Sequence, residues 1–564
     1  MSRPFYLIAR FNLLLAVVFV ALLAGSPSSP WEPGGVEATT STEWQKITAS
    51  DGEARDHFGG VSVSGNTIVV SAVLEDSGAL NAGAAYIFNR DEGGDENWGE
   101  VRKLLASDPN LEDFFGGAAI SGDTVVAGAS QSDTGAVNAG AAYVFERNVG
   151  GTDNWGEVTK LVDPDPVIGD SFGSSVAIDG DIIVVGASRD DSNRGMAIIF
   201  ERDEGGTDNW GQTKMLVASD AEIGDHFGNV LISGDTIIVT ATGADALGSD
   251  SGAAYVFQRD HGGTDNWGEV KKLTASDGEA NDGFGAGLGL DGDTAILGAY
   301  LEDDVGANAG AAYVFQRNEG GADNWGEVTK LTPPNPLNYD WFGIDAAISG
   351  DTAVVGASLK DDAALNAGTA HVFRRNEGGS DNWGLTTSLV ASDAEVDDQL
   401  GLSVALSGDT FIAGSFREDT EGFDAGAAYI YELPPIKDPL ADSDGDTIID
   451  SLDPNNDNDA CSDKQENSGD PTLGGQRDPH NPWDFYDVLG PGAALPKDKI
   501  IDLPNDILGV IQHFAPTGAA PYDVQFDRGP SSGPNPWNMT APDGMIDLPN
   551  DILGVINQFN HSCQ

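Results

Sequence analysis

An Asp-x-Phe-Gly motif, or its equivalent, returns seven times along the chain and opens a near-identical block each time. The anchors are Phe58, Phe115, Phe172, Phe227, Phe284, Phe342 and, with leucine replacing the aromatic, Leu400, spaced 55 to 58 residues apart. So regular a period makes each block one supersecondary unit that buries its apolar surface against its neighbours. Any fold assigned to this chain must first account for that repeat.

Each block reads as four short strands. In the second copy they are GGAAI (116–120), TVVAGA (124–129), GAAYVF (140–145) and WGEVTKLV (155–162), rich in β-branched and aromatic residues and parted by Gly, Asp and Asn clusters. Ser121-Gly122-Asp123, which recurs as SGN, DGD or SGD, joins the first two strands, with Gly supplying the positive φ of a tight hairpin. Four antiparallel strands repeated around an axis is the propeller answer to exposed sheet edges.

Strand counts predict how the propeller closes. The third-strand signature ends at Phe88, Phe145, Phe200, Phe257, Phe315, Phe373 and Tyr431. The fourth-strand signature, a Trp ahead of a Lys-Leu-like pair, is read at Trp44, Trp98, Trp155, Trp210, Trp267, Trp325 and Trp383. The first Trp strand precedes the first Phe-Gly, and the last block stops after AAYIYEL without one. The strand around TEWQKITAS is therefore expected to complete the seventh blade, giving an all-β, seven-bladed propeller over 43–433.

The pattern D-x-F-G, then SGDTVVAGAS, then NAGAAYVF resembles the FG-GAP repeat of integrin α-subunit propellers and many secreted bacterial proteins. The resemblance implies extracellular recognition or adhesion. Integrin-type blades carry a D-x-D-x-D-G calcium loop before the GAP strand, where this chain has only the SGD turn, so those calcium sites are not carried over.

Composition sets the compartment. Residues 1–26 combine Arg3 and Arg10, an 11-residue apolar run from Leu13 to Leu23, and small residues at Ala24 and Ser26, a secretory signal pattern. That run is shorter than the roughly 20 residues needed to span a bilayer, and no transmembrane segment is expected in the mature chain. With 91 acidic and 28 basic residues the formal net charge is -63. This excludes nonspecific nucleic-acid binding and disfavours anionic membranes. It also implies a saline habitat or calcium loading, because such a chain repels itself without screening.

The turns entering the first strand (ASDGEARD, ASDPNLED and kin) and the second-to-third loops (LEDSGALNAG and kin) should share one acidic face. Asp56, Asp113, Asp170, Asp225, Asp282, Asp340 and Asp398, each two residues before its anchor, stand near the central channel. Two readings apply: a cation-binding ring of carboxylates or, preferred, side chains capping their own turns.

Beyond residue 434 the chemistry changes. In DSDGDTIIDSLD the residues Asp442, Asp444, Asp446, Asp450 and Asp453 fall at positions 1, 3, 5, 9 and 12 of a calcium loop, with the Ile448 carbonyl at position 7. The segment 438–466 resembles a thrombospondin type 3 repeat, with Thr447 where the loop usually has Gly. After a linker (467–480), KIIDLPNDILGVIQHF (499–514) repeats as GMIDLPNDILGVINQF (544–559), each copy a loop end and a short helix with one apolar face. The module 481–564 resembles a dockerin, which implies calcium at Asp498, Asp502, Asp506, Asp543, Asp547 and Asp551 and a cohesin-like partner. The alternative is a small helical hairpin pair. Cys461 and Cys563 are expected to pair in an exported chain, closing a loop of about 100 residues worth about 4–5 kcal/mol, with two free thiols as the alternative.

Catalysis finds little support. The seven histidines are scattered, and neither a nucleophile elbow nor a zinc motif is present. The expectation is a secreted or cell-surface, calcium-dependent, non-enzymatic binding protein that takes a protein or glycan ligand on the propeller face. An extracellular carbohydrate-active hydrolase using paired carboxylates, or an envelope component, is the alternative.

Overall fold

The computed structural model describes residues 43–433, apart from Asp95 and Ser380; residues 1–42 and 434–564 lie outside the described residues. Seven four-stranded antiparallel sheets follow one another along the chain. The first comprises Phe58–Ser64, Thr67–Ala72, Ala84–Arg90 and Trp98–Leu104, and the same pattern repeats in blades 2 to 6. Blade 7 takes three strands from the end of the repeat region, Ser403–Ser407, Thr410–Ser415 and Ala427–Glu432, and its fourth from Glu43–Ile47. That strand pairs antiparallel with Ala427–Glu432, as expected.

The second strands of blades 1 to 6, such as Thr124–Ala129, are buried at every position, and that of blade 7 at all but Thr410, because both faces of each sheet pack on a neighbouring blade. A continuous apolar run is therefore what such a strand requires. The core lies between blades: Ile182, Val184 and Ile199 of blade 3 pack with Phe227, Val239, Tyr255 and Trp267 of blade 4. In blades 1 to 6 the Phe anchor meets a third-strand aromatic edge-on, as Phe58 does with Tyr86 at 5.6 Å and Phe88 at 6.1 Å between ring centroids.

The register of the closing strand corrects one sequence assignment. Lys46 pairs with Tyr429 as Lys103 pairs with Tyr86, so Trp44 takes the place of Val101, at a bulge, and not that of Trp98. Trp44 is half-buried under the Arg90 guanidinium, 4.8 Å from its ring, whereas Trp98 is buried. Gln45 ties the closing strand to blade 1, donating to the Trp98 carbonyl and accepting from its amide, both at 2.9 Å.

Two backbone devices hold successive blades together. The glycine ending each second-to-third loop lies against the anchor of the next blade. A Cβ on Gly140 would sit 2.0 Å from the Phe172 carbonyl oxygen, and on Gly426, 2.1 Å from that of Phe58, which closes the circle. The anchor amide in turn donates to the residue before the glycine, Phe172 to Ala139 at 2.8 Å and Phe58 to Ala425 at 2.8 Å. At the other end, each hairpin glycine amide donates to the first residue of the preceding blade's hairpin triplet. Gly122 bonds Ser64 at 3.1 Å, Gly234 bonds Asp179 at 2.7 Å, and Gly65 bonds Ser407 at 3.2 Å across the closure. The equivalent bonds at Gly180, Gly292, Gly350 and Gly408 complete a circle of seven. The hairpin triplet thus needs Ser or Asp first for the neighbouring blade and Gly second for its own φ.

Two glycines test this account. Gly310 has φ +85 and a Cβ there would lie 2.0 Å from the Phe342 oxygen, while Gly122 has φ +56 and open space around it. Gly310→Ala should cost roughly 2–4 kcal/mol from clash and strain together. Gly122→Ala should cost only about 1–2 kcal/mol, from the left-handed conformation alone. Denaturant unfolding of the two variants checks the difference; equal losses would refute it.

Candidate functional site

The acidic end of the propeller is built from the turns entering each first strand and the second-to-third loops. The seven aspartates before the anchors cap their own turns there. Each accepts the amide three residues upstream at 2.5 to 2.8 Å: Asp56 from Glu53, Asp113 from Asn110, Asp170 from Val167, Asp225 from Glu222, Asp282 from Glu279, Asp340 from Leu337 and Asp398 from Glu395. The capping reading of these residues holds.

Above the caps a second constellation recurs. In blade 1, Asp51 accepts from Tyr86 Oη at 2.9 Å and from Lys103 Nζ at 2.8 Å, and Lys103 also reaches Glu75 at 2.7 Å. Asp108, Tyr143 and Lys160 repeat this in blade 2, as do Asp220, Tyr255 and Lys272 in blade 4, and Asp277, Tyr313, Lys330 and Glu302 in blade 5. In blade 7 the lysine comes from the amino-terminal strand: Lys46 Nζ lies 2.7 Å from both Asp393 and Glu418. Tyr429 completes the set with a 2.8 Å bond to Asp393. Partial burial pushes these five aspartates up, but the lysine and tyrosine hydrogen bonds outweigh it and hold each carboxyl below its ordinary value.

Blades 3 and 6 depart from the pattern. In blade 6 His371 and Ser388 replace Tyr and Lys and bond each other at 2.8 Å, and burial pushes the imidazole down to about 3, so it stays neutral. Its cation comes instead from the second-to-third loop: Lys360, 1% exposed, reaches Asp340 Oδ2 and the Asn335 carbonyl, both at 3.0 Å. In blade 3 Ile198 and Met215 replace Tyr and Lys. Asp190 stands where Lys360 does, and Asp163 where most blades have Ala. Oxygens of Asp163, Asp170 and Asp190 all lie within 4.8 Å of one another.

The same end also carries apolar tips. Leu80 and Leu111 are exposed where blades 1 and 2 meet, Val137 and Ile168 where 2 and 3 meet, Leu365 and Val396 where 6 and 7 meet. The paired loops are joined by backbone bonds such as Glu112 N–H to Leu80 O at 2.9 Å and Asp397 N–H to Leu365 O at 2.9 Å. Ile168 exposes 73% of its surface, Tyr339 56% and Phe423 60%. The sequence reading missed these tips because each stands alone in a polar loop; their recurrence at one repeat position was the available signal.

The sequence-predicted metal ligands Asp442, Asp444, Asp446, Ile448, Asp450, Asp453, Asp498, Asp502, Asp506, Asp543, Asp547 and Asp551, and the cysteines Cys461 and Cys563, lie outside the described residues. Among the described residues no helix is long and apolar enough to cross a membrane.

Two outcomes follow. Lys360→Met leaves Asp340 buried without its cation and should destabilise the propeller by about 3–5 kcal/mol in denaturant unfolding; a loss under about 1 kcal/mol would show that the pair contributes little. The second concerns pH. Burial, then neighbouring carboxylates, push Asp56 and Asp398 up to about 6 against the pull of their turn amides. A carboxyl raised on folding makes the native state the better proton binder, so its contribution falls as pH rises from about 4 to about 6. The lysine-held aspartates act oppositely, losing theirs below about pH 4. With chelator and low salt, the melting temperature should be higher at pH 5 than at pH 7.5; the reverse order, followed by thermal unfolding, would contradict these environments.

No curated protein matches the chain. A chain in the crystal structure of the mitotic checkpoint complex is similar over 74% of this chain and 99% of its own length, at 10% identity and a TM-score of 0.43, a likeness too weak to carry an argument. The model of the FG-GAP repeat matches residues 41–88, 98–145, 155–200, 210–257, 267–315, 325–373 and 383–431, and with these seven matches the chain belongs to the FG-GAP repeat family.

Proposed function

We propose that this is an exported or cell-surface binding protein, with the propeller as a non-catalytic recognition scaffold and the region beyond residue 434 as its means of attachment. The observation that carries the reading is the paired apolar tips standing above a carboxylate-rich layer. Exposed apolar residues flanked by charge are how a soluble protein offers contact area while staying soluble. Most of the carboxylates beneath are committed to lysine, tyrosine or turn amides, which favours a rigid platform over a pair of catalytic acids. The signal-like segment 1–26 supports export, and the loop from Asp442 to Asp453 together with the duplicated module supports calcium-dependent attachment to a cohesin-like partner.

The test uses the full exported chain on a glycan array and on immobilised cell-surface proteins, beside an Ile168→Asp/Leu365→Asp variant with unchanged melting temperature. Binding to at least one class, weakened about tenfold or more in the variant, is expected, because burying a charge in a contact removes about 1.4 kcal/mol or more. A polysaccharide panel should show no hydrolysis. Bond cleavage, or binding indifferent to the variant, would overturn the proposal.

A further inference from the structure

We propose that blade 3 binds a calcium-type divalent cation between Asp163, Asp170 and Asp190, supplying from solution the positive charge that a lysine supplies in each of the other six blades. The charge count by blade is the starting point. Lys103, Lys160, Lys272, Lys330 and Lys46 serve blades 1, 2, 4, 5 and 7 from the outer strand, and Lys360 serves blade 6 from its loop. Blade 3 has lost the outer-strand lysine to Met215, has gained a carboxylate at position 163, and carries at position 190 the acid that blades 1, 5 and 7 place there as Glu75, Glu302 and Glu418 with a lysine beside it. Lys214, next to Met215, is directed to Asn266 of blade 4 at 3.4 Å, and Arg194 pairs with Asp191 at 2.5 Å. Among the described residues no lysine or arginine forms an ion pair with any of the three.

Three carboxylate oxygens within 4.8 Å match the spread of ligands around one calcium ion. At about 2.4 Å from the metal, two ligand oxygens stand at most about 4.8 Å apart. The donor set is all oxygen, without His or Cys, which selects a hard cation. A second observation points the same way: Asp163 is 4% exposed, and its Oδ2 is buried with no hydrogen-bond partner. Glu75, Glu302 and Glu418 also leave one oxygen unpartnered, but each gives the other to a lysine. The other oxygen of Asp163 accepts only the Asp165 amide, at 3.0 Å.

The loop geometry suits this role. The second-to-third loop is three residues shorter here than in blade 2 and turns tightly through Asp191 and Ser192, both with positive φ, while Asp190 keeps the repeat position of Glu75, its carbonyl accepting the Gly195 amide at 3.0 Å. Burial and the neighbouring aspartates push the Asp190 carboxyl up to about 6, and burial raises those of Asp163 and Asp170, as for acids gathered without a counter-charge. The site lies at the opposite end of the blade from the SGD-type hairpins, where an integrin-type loop would lie.

Calcium binding to the full chain, measured by equilibrium dialysis, tests the proposal in wild type, Asp163→Asn and Asp190→Lys. Each variant should bind one calcium ion per chain fewer than wild type, whatever the region beyond 434 contributes to the total. Asp190→Lys copies the lysine of blade 6, so in chelator its propeller should melt at or above the wild-type temperature, while calcium should raise the propeller transition of wild type alone. Should Asp163→Asn fail to fold, the Asp190→Lys stoichiometry decides alone. Wild-type stoichiometry in the folded variants would overturn the proposal.

Discussion

Everything in this propeller depends on how closely one blade's backbone approaches the next. Where the second-to-third loop ends, a glycine lies against the backbone of the following anchor, close enough that a Cβ would stand 1.9 to 2.2 Å from its carbonyl oxygen at all seven junctions. Only glycine tolerates both that distance and the positive φ. The approach lets the anchor amide reach the loop carbonyl, which satisfies a buried donor and fixes the spacing at which Phe, Tyr and Trp side chains fill the space between sheets. The two halves of the repeat motif, Phe-Gly and Gly-Ala, are thus the two sides of one interface, read in consecutive blades.

Such packing leaves the polar groups only the two ends of the blades, and the chain's few basic residues are placed accordingly. At the hairpin end arginines following the third strand serve the Asp-bearing turns: Arg147 with Asp123, Arg317 with Asp235 and Asp293, Arg375 with Asp351. At the other end lysines serve the entering turns. A protein with a formal net charge of -63 cannot neutralise its carboxylates one for one. Its lysines reach the buried Glu75, Glu302, Glu418 and Asp340 as well as exposed aspartates, turn amides hold the other buried caps, and the rest is left to water and screening.

Strands, blade number and closure were legible because they rest on local apolar runs and a period that any one copy repeats. The turn-capping role of Asp56 and its counterparts was legible for the same reason, since donor and acceptor lie three residues apart. What escaped depends on distance along the chain. Tyr86 and Asp51 are 35 residues apart and Lys103 and Asp51 are 52, so no window joins them, although each recurs in its own segment. The assignment of Trp44 failed because residue identity was matched ahead of the Lys46-Ile47 pair that sets the register. The residue between Asp and the anchor varies freely in type, yet His57, Phe114, Ser171, His226, Trp341 and Gln399 are all left-handed there. The constraint falls on the backbone, with nothing in the side chain to announce it.

Repetition also gives departures their meaning. When one blade of seven loses an ion pair and keeps apolar residues in its place, nothing needs explaining, because burying fewer charges is no loss to stability. Blade 6 does something else, moving its cation from the outer strand to the loop while keeping a buried carboxylate to meet it. Blade 3 gives up its lysine, adds an acid at Asp163 and keeps one at Asp190, a combination that raises the electrostatic cost of the fold with no ion-paired cation among the described residues. The substitution that removes a counter-charge at Met215 and the one that adds a buried carboxylate at Asp163 are separate changes. A cation held between the carboxylates makes both favourable together.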